Sequence, residues 1–325
     1  MKKVSVVIPT FNEEKYIKEC VDSVINNDYP NKEIIVVDGM STDNTRDILK
    51  SYENIKILDN EKKITPIAMN IGIKNSTGDY VMIAGAHTTY SENYISECVK
   101  RLDENKCAVA GGTVVNKPGD DSLIGRTISE VLSHPFGVGG GKYRTGYSKE
   151  SLVDTVAYGV YNKDIFEKVG LFNENLVRNQ DIDLNLRIKR SGYDIILVPK
   201  AKATYYSRTN VIKLIKNNFS NGYWVINSAK FSKIPFSARH LVPLLFVLFI
   251  IFGGIISSFV GFLKMVYVFV IAFYFAIDLY FSTKIKFQKK KLSIFLLFIT
   301  FFLLHVSYGI GSLIGILKYG VKNGR

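Results

Sequence analysis

The 325-residue sequence predicts an α/β domain with a mostly parallel sheet and flanking helices, followed by a C-terminal transmembrane helical region. Two observations carry this prediction. Short β-branched runs alternate with helical patterns over the first two hundred residues, and alternation with such short links is typical of a parallel sheet. Long apolar runs then occupy the end of the chain, where they reach the length of a membrane span.

Seven elements can be assigned in order along the first part of the chain. Short runs of aliphatic residues predict strands at residues 4–8, 33–37, 55–58 and 80–83. Helical spacing and capping residues predict helices at residues 14–26, 42–52 and 65–75. Because ligands bind beyond the carboxyl ends of strands in such sheets, we expect the informative residues to follow the strands.

Three apolar segments are predicted to be transmembrane helices, at residues 241–262, 265–282 and 292–316. A helix needs roughly 20 apolar residues to cross about 30 Å of hydrocarbon, which the first and third segments provide and the second barely does. A tight hairpin is expected near residues 257–264. A single long first span followed by a re-entrant piece remains an alternative.

Charge is distributed unevenly along the chain, whose formal net charge is +13. Residues 1–194 carry 25 basic and 28 acidic side chains, a balance of −3, whereas residues 195–325 carry 17 basic side chains and one acid, Asp278, a balance of +16. Because the basic residues alternate with membrane-length apolar segments, the tail favours membrane lipids as a partner and argues against nucleic acid.

The same charges predict an orientation in the membrane. The basic run at residues 284–291 is expected to be cytoplasmic, and an even number of crossings then places the N-terminal domain in the cytoplasm too. Three spans would put Lys318, Lys322 and Arg325 on the opposite side, so two or four crossings stay open.

The chain is predicted to divide at residues 205 and 240. Residues 1–205 form the α/β domain, residues 206–240 an amphipathic linker at the membrane interface, and residues 241–325 the membrane region. In the linker an apolar stripe recurs every three or four residues, which is typical of an interfacial helix, although an ordinary soluble amphipathic helix gives the same pattern. The stripe comprises Ile212, Ile215, Phe219, Tyr223 and Ile226.

Polar residues follow the first two predicted strands. Residues 9–14 read Pro-Thr-Phe-Asn-Glu-Glu, and Asp38 ends the second strand. A carboxylate at a strand end can accept a hydrogen bond from a base or a ribose hydroxyl, whereas Ser41 and Asp43 are explained equally well as helix caps. The sequence has no glycine-rich phosphate loop of the common types, which argues against a dinucleotide dehydrogenase or a P-loop enzyme.

In order and spacing these segments resemble the family 2 glycosyltransferases, which have the GT-A nucleotide-sugar fold. The resemblance runs through residues 6–14, 35–45, 68–72, 77–80 and 179–181. Residues 86–87, 135–144 and 153–156 are similar to the succinoglycan-type glucosyltransferase subgroup, which comprises membrane-attached enzymes of exopolysaccharide assembly.

The resemblance implies a role for each candidate residue. Asp181 matches the general base that deprotonates the acceptor hydroxyl. Lys142 and Arg144, in a glycine-rich loop at residues 135–144, would contact phosphate or acceptor. The nucleotide-sugar, expected to be a UDP-hexose, would be bound by Pro9, Thr10, Phe11, Glu13, Asp38, Asn70, Gly85 and His87.

One position departs from the family pattern. The resemblance implies a divalent cation, Mn²⁺ or Mg²⁺, but Gly85 stands where an aspartate would help to bind it and offers no side-chain ligand. His87 is then the candidate metal ligand, and Lys142 and Arg144 are alternative charges for the pyrophosphate. Gln180 replaces the usual glutamate beside Asp181.

The resemblance implies a membrane-anchored inverting glycosyltransferase with a cytoplasmic catalytic domain on a multi-pass membrane chain. Its acceptor would be a lipid-linked glycan in exopolysaccharide or cell-surface polysaccharide synthesis. Two alternatives stay open. One is a polyprenyl-phosphate glycosyltransferase, and the other is a catalytically silent family member that binds nucleotide or serves as a scaffold. Gly85 favours the silent member, whereas Asp38 and Asp181 oppose it.

Overall fold

The structure, a computed structural model, describes residues 1–104, 106–231 and 238–323. The chain divides into two compact units. We call Met1–Val115 with Lys142–Tyr206 the sheet unit, and Asn116–Gly141 with Ser207–Arg325 the helical unit. The predicted linker and membrane region extend into residues 232–237 and 324–325, which lie outside the described residues, as do Arg325 and the Lys322 side chain.

The sheet unit is built on one mixed sheet. The described residues form nine strands: β1 (Val4–Thr10), β2 (Lys32–Asp38), β3 (Ile55–Asp59), β4 (Tyr80–Ile83), β5 (Thr88–Tyr90), β6 (Val109–Pro118), β7 (Ser151–Leu152), β8 (Val160–Asn162) and β9 (Ile195–Ser207). Their order is β3-β2-β1-β4-β8-β6-β9-β5, and β7 pairs with β9. The β1–β2, β1–β4 and β2–β3 pairs are parallel, as the alternating pattern predicts.

The strands beyond β4 pair differently. The β4–β8, β6–β8, β5–β9 and β7–β9 pairs are antiparallel, so the sheet is parallel on one side only. Antiparallel strands need no crossover helix, and the helix–strand alternation that marks the first half of the domain is therefore absent from the second. The predicted α/β fold class is confirmed, with a sheet that is more mixed than the sequence pattern indicates.

Helices cover both faces of the sheet, since alternate residues of the central strands point in opposite directions. On one face Val6 and Ile8 pack with the helices at residues 17–25 and 94–103. On the other face Val7 and Val37 pack with the helices at residues 65–74 and 180–190. The helices of this unit are α1 (Ile17–Ile25), α2 (Thr45–Lys50), α3 (Thr65–Lys74), α4 (Tyr94–Asp103), α7 (Ile165–Val169) and α8 (Gln180–Arg190).

The helical unit contains helices from two separate parts of the sequence. They are α5 (Leu123–Ser133), α6 (Pro135–Val138), α9 (Val211–Asn227), α10 (Val242–Leu248), α11 (Gly254–Ser257), α12 (Gly261–Gln288) and α13 (Ile294–Asn323), with a π-helical turn at Phe249–Gly253 between α10 and α11. Their shared core includes Ile128 of α5, Leu214 of α9 and Phe301 of α13, all of them buried. Residues 116–141 therefore interrupt the sheet unit in sequence and pack with the helical unit.

The apolar tail differs in detail from the three predicted spans. Among the described residues, two helices are long and apolar enough to cross a membrane, Gly261–Gln288 and Ile294–Lys318. The first predicted span forms a shorter apolar helix, Val242–Ser257, and the second, which the sequence made the shortest, is 28 residues long. The charge of Lys264 and Lys284 limits the apolar run but does not end the helix, because long basic side chains can extend towards a polar interface.

The predicted apolar stripe of residues 206–240 coincides only in part with the buried face of α9. Ile226 of the stripe is buried and Ile212 is 62% exposed, whereas Leu214 and Gly222, which lie off the stripe, are buried too. Asn218 of this buried face donates from its amide to the Leu304 carbonyl of α13. The face of α9 that packs against α13 thus contains a small residue and a polar one, which an apolar-periodicity argument does not recognise.

Candidate functional site

The carboxyl ends of the parallel strands lie side by side. Thr10 pairs with Asp38, and Asp38 pairs with Asp59 on its other side. Asp38 is fully buried, and its carboxylate accepts hydrogen bonds from the backbone N–H of Ser41 at 3.1 Å and from the Ser41 hydroxyl at 2.5 Å. Arg46 lies 3.5 Å from the same carboxylate. Asp38 therefore shapes the turn after β2 through these bonds, and its contact with a nucleotide remains a prediction.

Residues 11–14 are fixed to the turn after β2 by reciprocal hydrogen bonds. The Asn12 side chain accepts from the Thr42 N–H at 2.8 Å, while the Asn12 N–H donates to Ser41 Oγ at 2.8 Å. Asn12 has a φ of 53°, a conformation that asparagine tolerates better than most residues. The Glu13 N–H donates to Thr45 Oγ1 at 2.8 Å. The loop beside Pro9 is consequently held in one shape before any ligand binds.

Two side chains of this loop lack strong protein partners. The Thr10 hydroxyl oxygen is buried without a hydrogen-bond partner. The Phe11 ring is 43% exposed, with the Lys63 ammonium 5.6 Å from its centroid. A buried hydroxyl without a partner and an exposed aromatic face at a strand end are suited to a polar group and a planar ring of a ligand.

The Asn70 side chain is hydrogen-bonded within the protein. Its side chain exchanges two hydrogen bonds with the backbone of Phe172, at 2.9 and 3.0 Å, and also donates to Glu174 at 3.0 Å. With the amide used on both its donor and its acceptor side, Asn70 ties α3 to the segment that precedes α8. Its predicted contact with the nucleotide-sugar stays untested.

Glu13 and His87 form a pair. His87 Nδ1 lies 3.1 Å from Glu13 Oε1, and the His87 ring meets the Tyr205 ring edge-on with 5.2 Å between centroids. The sequence predicts both residues for the nucleotide-sugar site, and the structure brings them into contact. The pair leaves Glu13 and His87 each with a protein partner.

Gly85 lies against Tyr158. A Cβ atom built at Gly85 would come within 2.8 Å of the Tyr158 ring and within 3.2 Å of the Thr88 hydroxyl, which itself donates to Tyr158 at 2.9 Å. The Gly85 N–H donates to the Tyr90 hydroxyl at 2.7 Å. Tyr158 has a φ of 53°, which an L-residue rarely adopts. The missing carboxylate at this position thus coincides with an aromatic ring that fills its space.

Asp181 is the second residue of α8, as the helical pattern after it predicts. It is partly exposed, yet burial among protein atoms raises the pKa of its carboxyl above the ordinary aspartate value, and the backbone N–H groups of the helix start and the charge of Arg144 oppose that rise. The neighbouring Gln180 has a buried Oε1 atom without a hydrogen-bond partner. A carboxylate with a raised pKa is a stronger base than a solvated one.

Asp183 and Arg187 of α8 form an ion pair. Asp183 is buried and pairs with Arg187 at 3.0 Å, and Arg187 also donates to the carbonyls of Gly170 and Leu171. Asp183 is thus used in an ion pair at the start of the helix. Arg187 fixes the segment that leads into the Asp181 region.

The Arg144 guanidinium lies among tyrosine side chains. Its Nε donates to the Tyr143 hydroxyl at 3.2 Å, and Tyr143, Tyr158 and Tyr205 raise its pKa. Among the described residues Arg144 forms no ion pair with a carboxylate, although its charge acts on Asp181. Lys142 instead has its ammonium 4.8 Å from the Tyr147 ring centroid.

The glycine-rich run at residues 135–144 is not one loop. Pro135–Val138 form a helical turn whose Phe136 ring contacts Phe301 and His305 of α13 at centroid distances of 5.1 and 4.9 Å. The first part of the predicted glycine-rich loop, through residue 138, therefore packs in the helical unit. Lys142 and Arg144 begin the return into the sheet unit, after Gly139 with its φ of 70°.

Sequence reasoning missed the tyrosines of the site. Tyr158, Tyr205 and Tyr143 connect Gly85, His87 and Arg144, and each lies in a segment without helical or strand periodicity or near the end of a strand. The chain has 19 tyrosines, so composition singles out none of them. An α/β sheet with this set of polar residues at its strand ends and loops defines the GT-A class.

Comparison with known proteins then specifies the family. The model of "Glycosyl transferase family 2" matches residues 5–170, half of the chain. A Methanococcus voltae protein named dolichyl N-acetyl-alpha-D-glucosaminyl phosphate 3-beta-D-2,3-diacetamido-2,3-dideoxy-beta-D-glucuronosyltransferase is 36% identical over 236 residues, which cover 68% of this chain and 72% of that protein. The chain belongs to glycosyltransferase family 2, and it is a glycosyltransferase.

Two further likenesses concern the subgroup and the fold. The succinoglycan biosynthesis protein ExoA of Rhizobium meliloti is 28% identical over 262 residues, or 78% of this chain and 77% of that protein. The solved structure of mannosyltransferase PcManGT from Pyrobaculum calidifontis, in complex with GDP-Man and Mn²⁺, is similar with a TM-score of 0.62 over 96% of this chain and 87% of that one. Its sequence identity is 16%, so this likeness shows the fold alone.

Proposed function

We propose that this chain is a membrane-anchored inverting glycosyltransferase that moves a sugar from a nucleotide-sugar, a UDP-hexose, to a lipid-linked glycan acceptor. The observation that carries the proposal is Asp181, a carboxylate with a raised pKa at the start of a helix, under the positive charge of Arg144. An inverting displacement needs one such base on the acceptor side and no acid for a diphosphate leaving group.

In the proposed step the Asp181 carboxylate takes the proton of the acceptor hydroxyl. The hydroxyl oxygen forms a bond to the anomeric carbon of the donor sugar as the bond from that carbon to the diphosphate oxygen breaks. The diphosphate leaves with the electron pair of the broken bond. The charge of Arg144 acts on Asp181, and Arg144 would hold the leaving diphosphate by charge-assisted hydrogen bonds.

The loop that follows β1 is the evidence for nucleotide binding at the donor end of the site. The partnerless Thr10 hydroxyl and the exposed Phe11 ring offer a hydrogen bond and a stacking face to a nucleoside. Asp38 and Glu13 would complete the pocket for the base and ribose. The rigid hydrogen bonding of residues 11–14 to residues 41–45 means that little conformational entropy is lost when a nucleotide binds.

The acceptor class is supported by the apolar helices and by one relative. The outer faces of α12 are strongly exposed, with Phe262 at 68%, Met265 at 66% and Phe269 at 69% exposure. Such a surface is stable in lipid and unfavourable in water. The name of the Methanococcus voltae relative describes transfer to a dolichyl phosphate-linked sugar. A lipid-linked acceptor diffuses in the same plane as an anchored enzyme, which raises its effective concentration.

The orientation follows from the basic run at residues 284–291, which would face the cytoplasm together with the sheet unit. Lys289 of this run lies 3.7 Å from Glu130 of α5, so the insertion at residues 116–141 would lie on the same side of the membrane. Cysteine labelling of position 290 in intact cells, with a reagent that does not cross membranes, tests this orientation.

The function is tested by sugar transfer in membranes that contain the full chain. UDP-hexoses are supplied with extracted lipid-linked glycans or with bare polyprenyl phosphate, and the lipid product is separated by chromatography. We expect transfer to the lipid-linked glycan and a loss of about 10²–10⁴-fold in Asp181→Asn, the range for removal of a general base. Asp47→Asn makes the same chemical change on an exposed side chain and should retain activity.

Two outcomes would contradict the proposal. Transfer to bare polyprenyl phosphate alone would favour the polyprenyl-phosphate glycosyltransferase. No transfer from any donor, with no difference between the parent and Asp181→Asn, would favour a catalytically silent member.

A further inference from the structure

The family's divalent cation does not fit the residues around Gly85. The side of Gly85 on which a carboxylate would project is filled by the Tyr158 ring, at 2.8 Å from a built Cβ atom. An aspartate here would have to displace a tyrosine that is held by Thr88 and packs edge-on against Tyr90, with 5.7 Å between ring centroids. The packing around position 85 therefore fits a glycine, and a carboxylate there would require Tyr158 to move.

The other potential metal ligands near Gly85 do not replace the absent carboxylate. Glu13 and His87 are bonded to each other, and His87 also packs on Tyr205. Across the part of the chain that the structure describes, no group of three or more His, Cys, Asp or Glu side chains is arranged to hold a metal ion. A Mn²⁺ or Mg²⁺ ion prefers several oxygen ligands, and among the contacts described here for Gly85 and His87 the one carboxylate is Glu13, which is paired with His87.

A different positive charge is available in the same surroundings. The charge of Arg144 acts on Tyr158, the residue that fills the space beside Gly85, and on Asp181, the proposed base. The hydrogen bond that the structure shows for its guanidinium uses Nε, and Arg144 forms no ion pair with a carboxylate in the described residues. A planar guanidinium with terminal donors matches the oxygens of a diphosphate.

We propose that Arg144 neutralises the diphosphate of the donor in place of a divalent cation, and that Tyr158 closes the former metal position. The inference rests on the proposed function, since it concerns the leaving group of that reaction. As the bond between the anomeric carbon and the diphosphate oxygen breaks, the charge that develops on the diphosphate is held by the fixed guanidinium. Sugar transfer should then continue when divalent cations are removed.

The test measures binding of UDP and uridine, and of GDP and guanosine, to the full chain in detergent by isothermal titration calorimetry. Each titration is run with EDTA and with MnCl₂. In the parent we expect the diphosphate to bind more tightly than the nucleoside in EDTA, and Mn²⁺ to change this preference by less than about twofold. In Arg144→Gln the preference should fall by about tenfold or more, because a charge that faces the diphosphate is lost.

Two further variants distinguish an electrostatic role of Arg144 from a structural one. Arg144→Lys retains the charge and should recover part of the preference. Lys149→Gln removes one positive charge from an exposed side chain of the same segment and should behave as the parent. Nucleoside binding measures the rest of the site, so it should be equal in the parent and in Arg144→Gln.

The outcomes distinguish this inference from the proposed function. Tightening of UDP or GDP binding by Mn²⁺ of about tenfold or more in the parent would overturn the inference and leave the glycosyltransferase proposal standing. Equal weakening of nucleoside and diphosphate binding in Arg144→Gln would give Arg144 a structural role and would also overturn it. A parent chain that binds neither nucleotide would count against the nucleotide-sugar donor, and the inference would fail with it.

Discussion

At the residue scale, burial disfavours the negative charge of Asp181, and the positive charge of Arg144 favours it. Asp181 is desolvated, which favours its neutral form, and Arg144 and the start of α8 favour its ionised form. The base that we propose must be ionised before it can accept a proton, so its role requires a charge that burial opposes. In that role stability is lost at this position in favour of activity, as is common at active sites.

The first prediction concerns stability. The folded-state pKa of Asp181 is raised, so its stabilising effect is fully present below the unfolded-state pKa and is lost as the pH rises through the folded-state pKa. At neutral pH the charged form is the unfavourable one, and Asp181→Asn should raise the midpoint of thermal unfolding while it removes activity. Asp47→Asn, on the exposed surface of α2, should leave the midpoint unchanged. A lower midpoint in Asp181→Asn would contradict the assignment of a desolvated carboxylate.

The second prediction concerns the pH dependence of the reaction. Activity should fall on the acidic side as Asp181 becomes protonated, and the fall should occur at a higher pH than an ordinary aspartate would give. Because the charge of Arg144 lowers this pKa, Arg144→Gln should move the acidic limb of kcat/KM to still higher pH. The profile is measured with saturating acceptor and limiting donor. An acidic limb at the same pH in both proteins would mean that Arg144 does not act on the base.

How far the sequence predicts the site differs between residues. Asp181 was placed at a helix start because helical periodicity follows it, and the structure confirms that position. Gly85 was recognised as a missing ligand, but its partner Tyr158 was not, because the two are brought together by the antiparallel pairing of β4 with β8. Contacts between strands far apart in sequence leave no periodic signal, so side chains such as Tyr158 are found only in the fold.

At the element scale, the helical unit is distinguished by the close approach of α9 and α13. A Cβ atom at Gly311 of α13 would overlap the carbonyl oxygen of Phe219, and one at Gly222 of α9 would overlap the carbonyl oxygen of Tyr308. Ser312 donates to the Gly222 carbonyl at 3.2 Å. Small residues that let two backbones touch, joined by a polar side chain, are typical of helix pairs in membranes.

The third prediction follows from this contact. Gly311→Ala should destabilise the helical unit by about 1–3 kcal/mol, the usual cost of overpacking, although alanine is otherwise the better helix former. Gly261→Ala is the matched control, since a Cβ atom there meets nothing within 4 Å. Thermal unfolding in detergent is followed by the emission of Trp224, the only tryptophan, which lies in α9. Equal unfolding midpoints for the two variants would contradict the close contact.

The sequence predicts most of the helices and strands of the first part of the chain, but it does not predict as well which face of each element is buried. All seven strands and helices assigned in the first part of the chain are present, because each has a local pattern of aliphatic residues or helical spacing. In α9 the buried face depends on Gly222 and Asn218, whose place is set by the backbone of α13. Propensity and periodicity describe one element at a time, and so they do not identify a face chosen by a distant helix.

At the scale of the whole molecule, the helical unit is made from the end of the chain and from an insertion at residues 116–141. The insertion is anchored by His305, whose Nε2 donates to the Phe136 carbonyl at 2.7 Å, while Tyr274 donates to Nδ1 at 2.9 Å. The carbonyl can only accept, which fixes the proton on Nε2. Within the sheet unit, the two ends of the insertion are close, because the Val114 N–H donates to the Tyr143 carbonyl at 2.6 Å.

The fourth prediction is that the sheet unit can be isolated only when the insertion is removed as well. A chain that ends at residue 206 but retains residues 116–141 leaves Ile128 and Val131 of α5 without their cover and should aggregate. Replacement of residues 116–141 by a short Gly/Ser linker in the same truncated chain should yield a soluble unit, since Val114 and Tyr143 are already hydrogen-bonded. Size-exclusion chromatography without detergent compares the two. Identical elution would show that the insertion does not depend on the membrane helices.

The insertion also affects the order in which parts of the chain can fold during synthesis. A ribosome makes α5 well before α13, yet Ile128 and Val131 of α5 pack against Leu297 and Phe301 of α13. Domains generally fold in the order in which they emerge, so α5 must stay without this partner until α13 has left the ribosome. We therefore expect completion of α13 to be the event that commits a newly made chain to its native state, and a chain released before that point to be a substrate for chaperones or proteases.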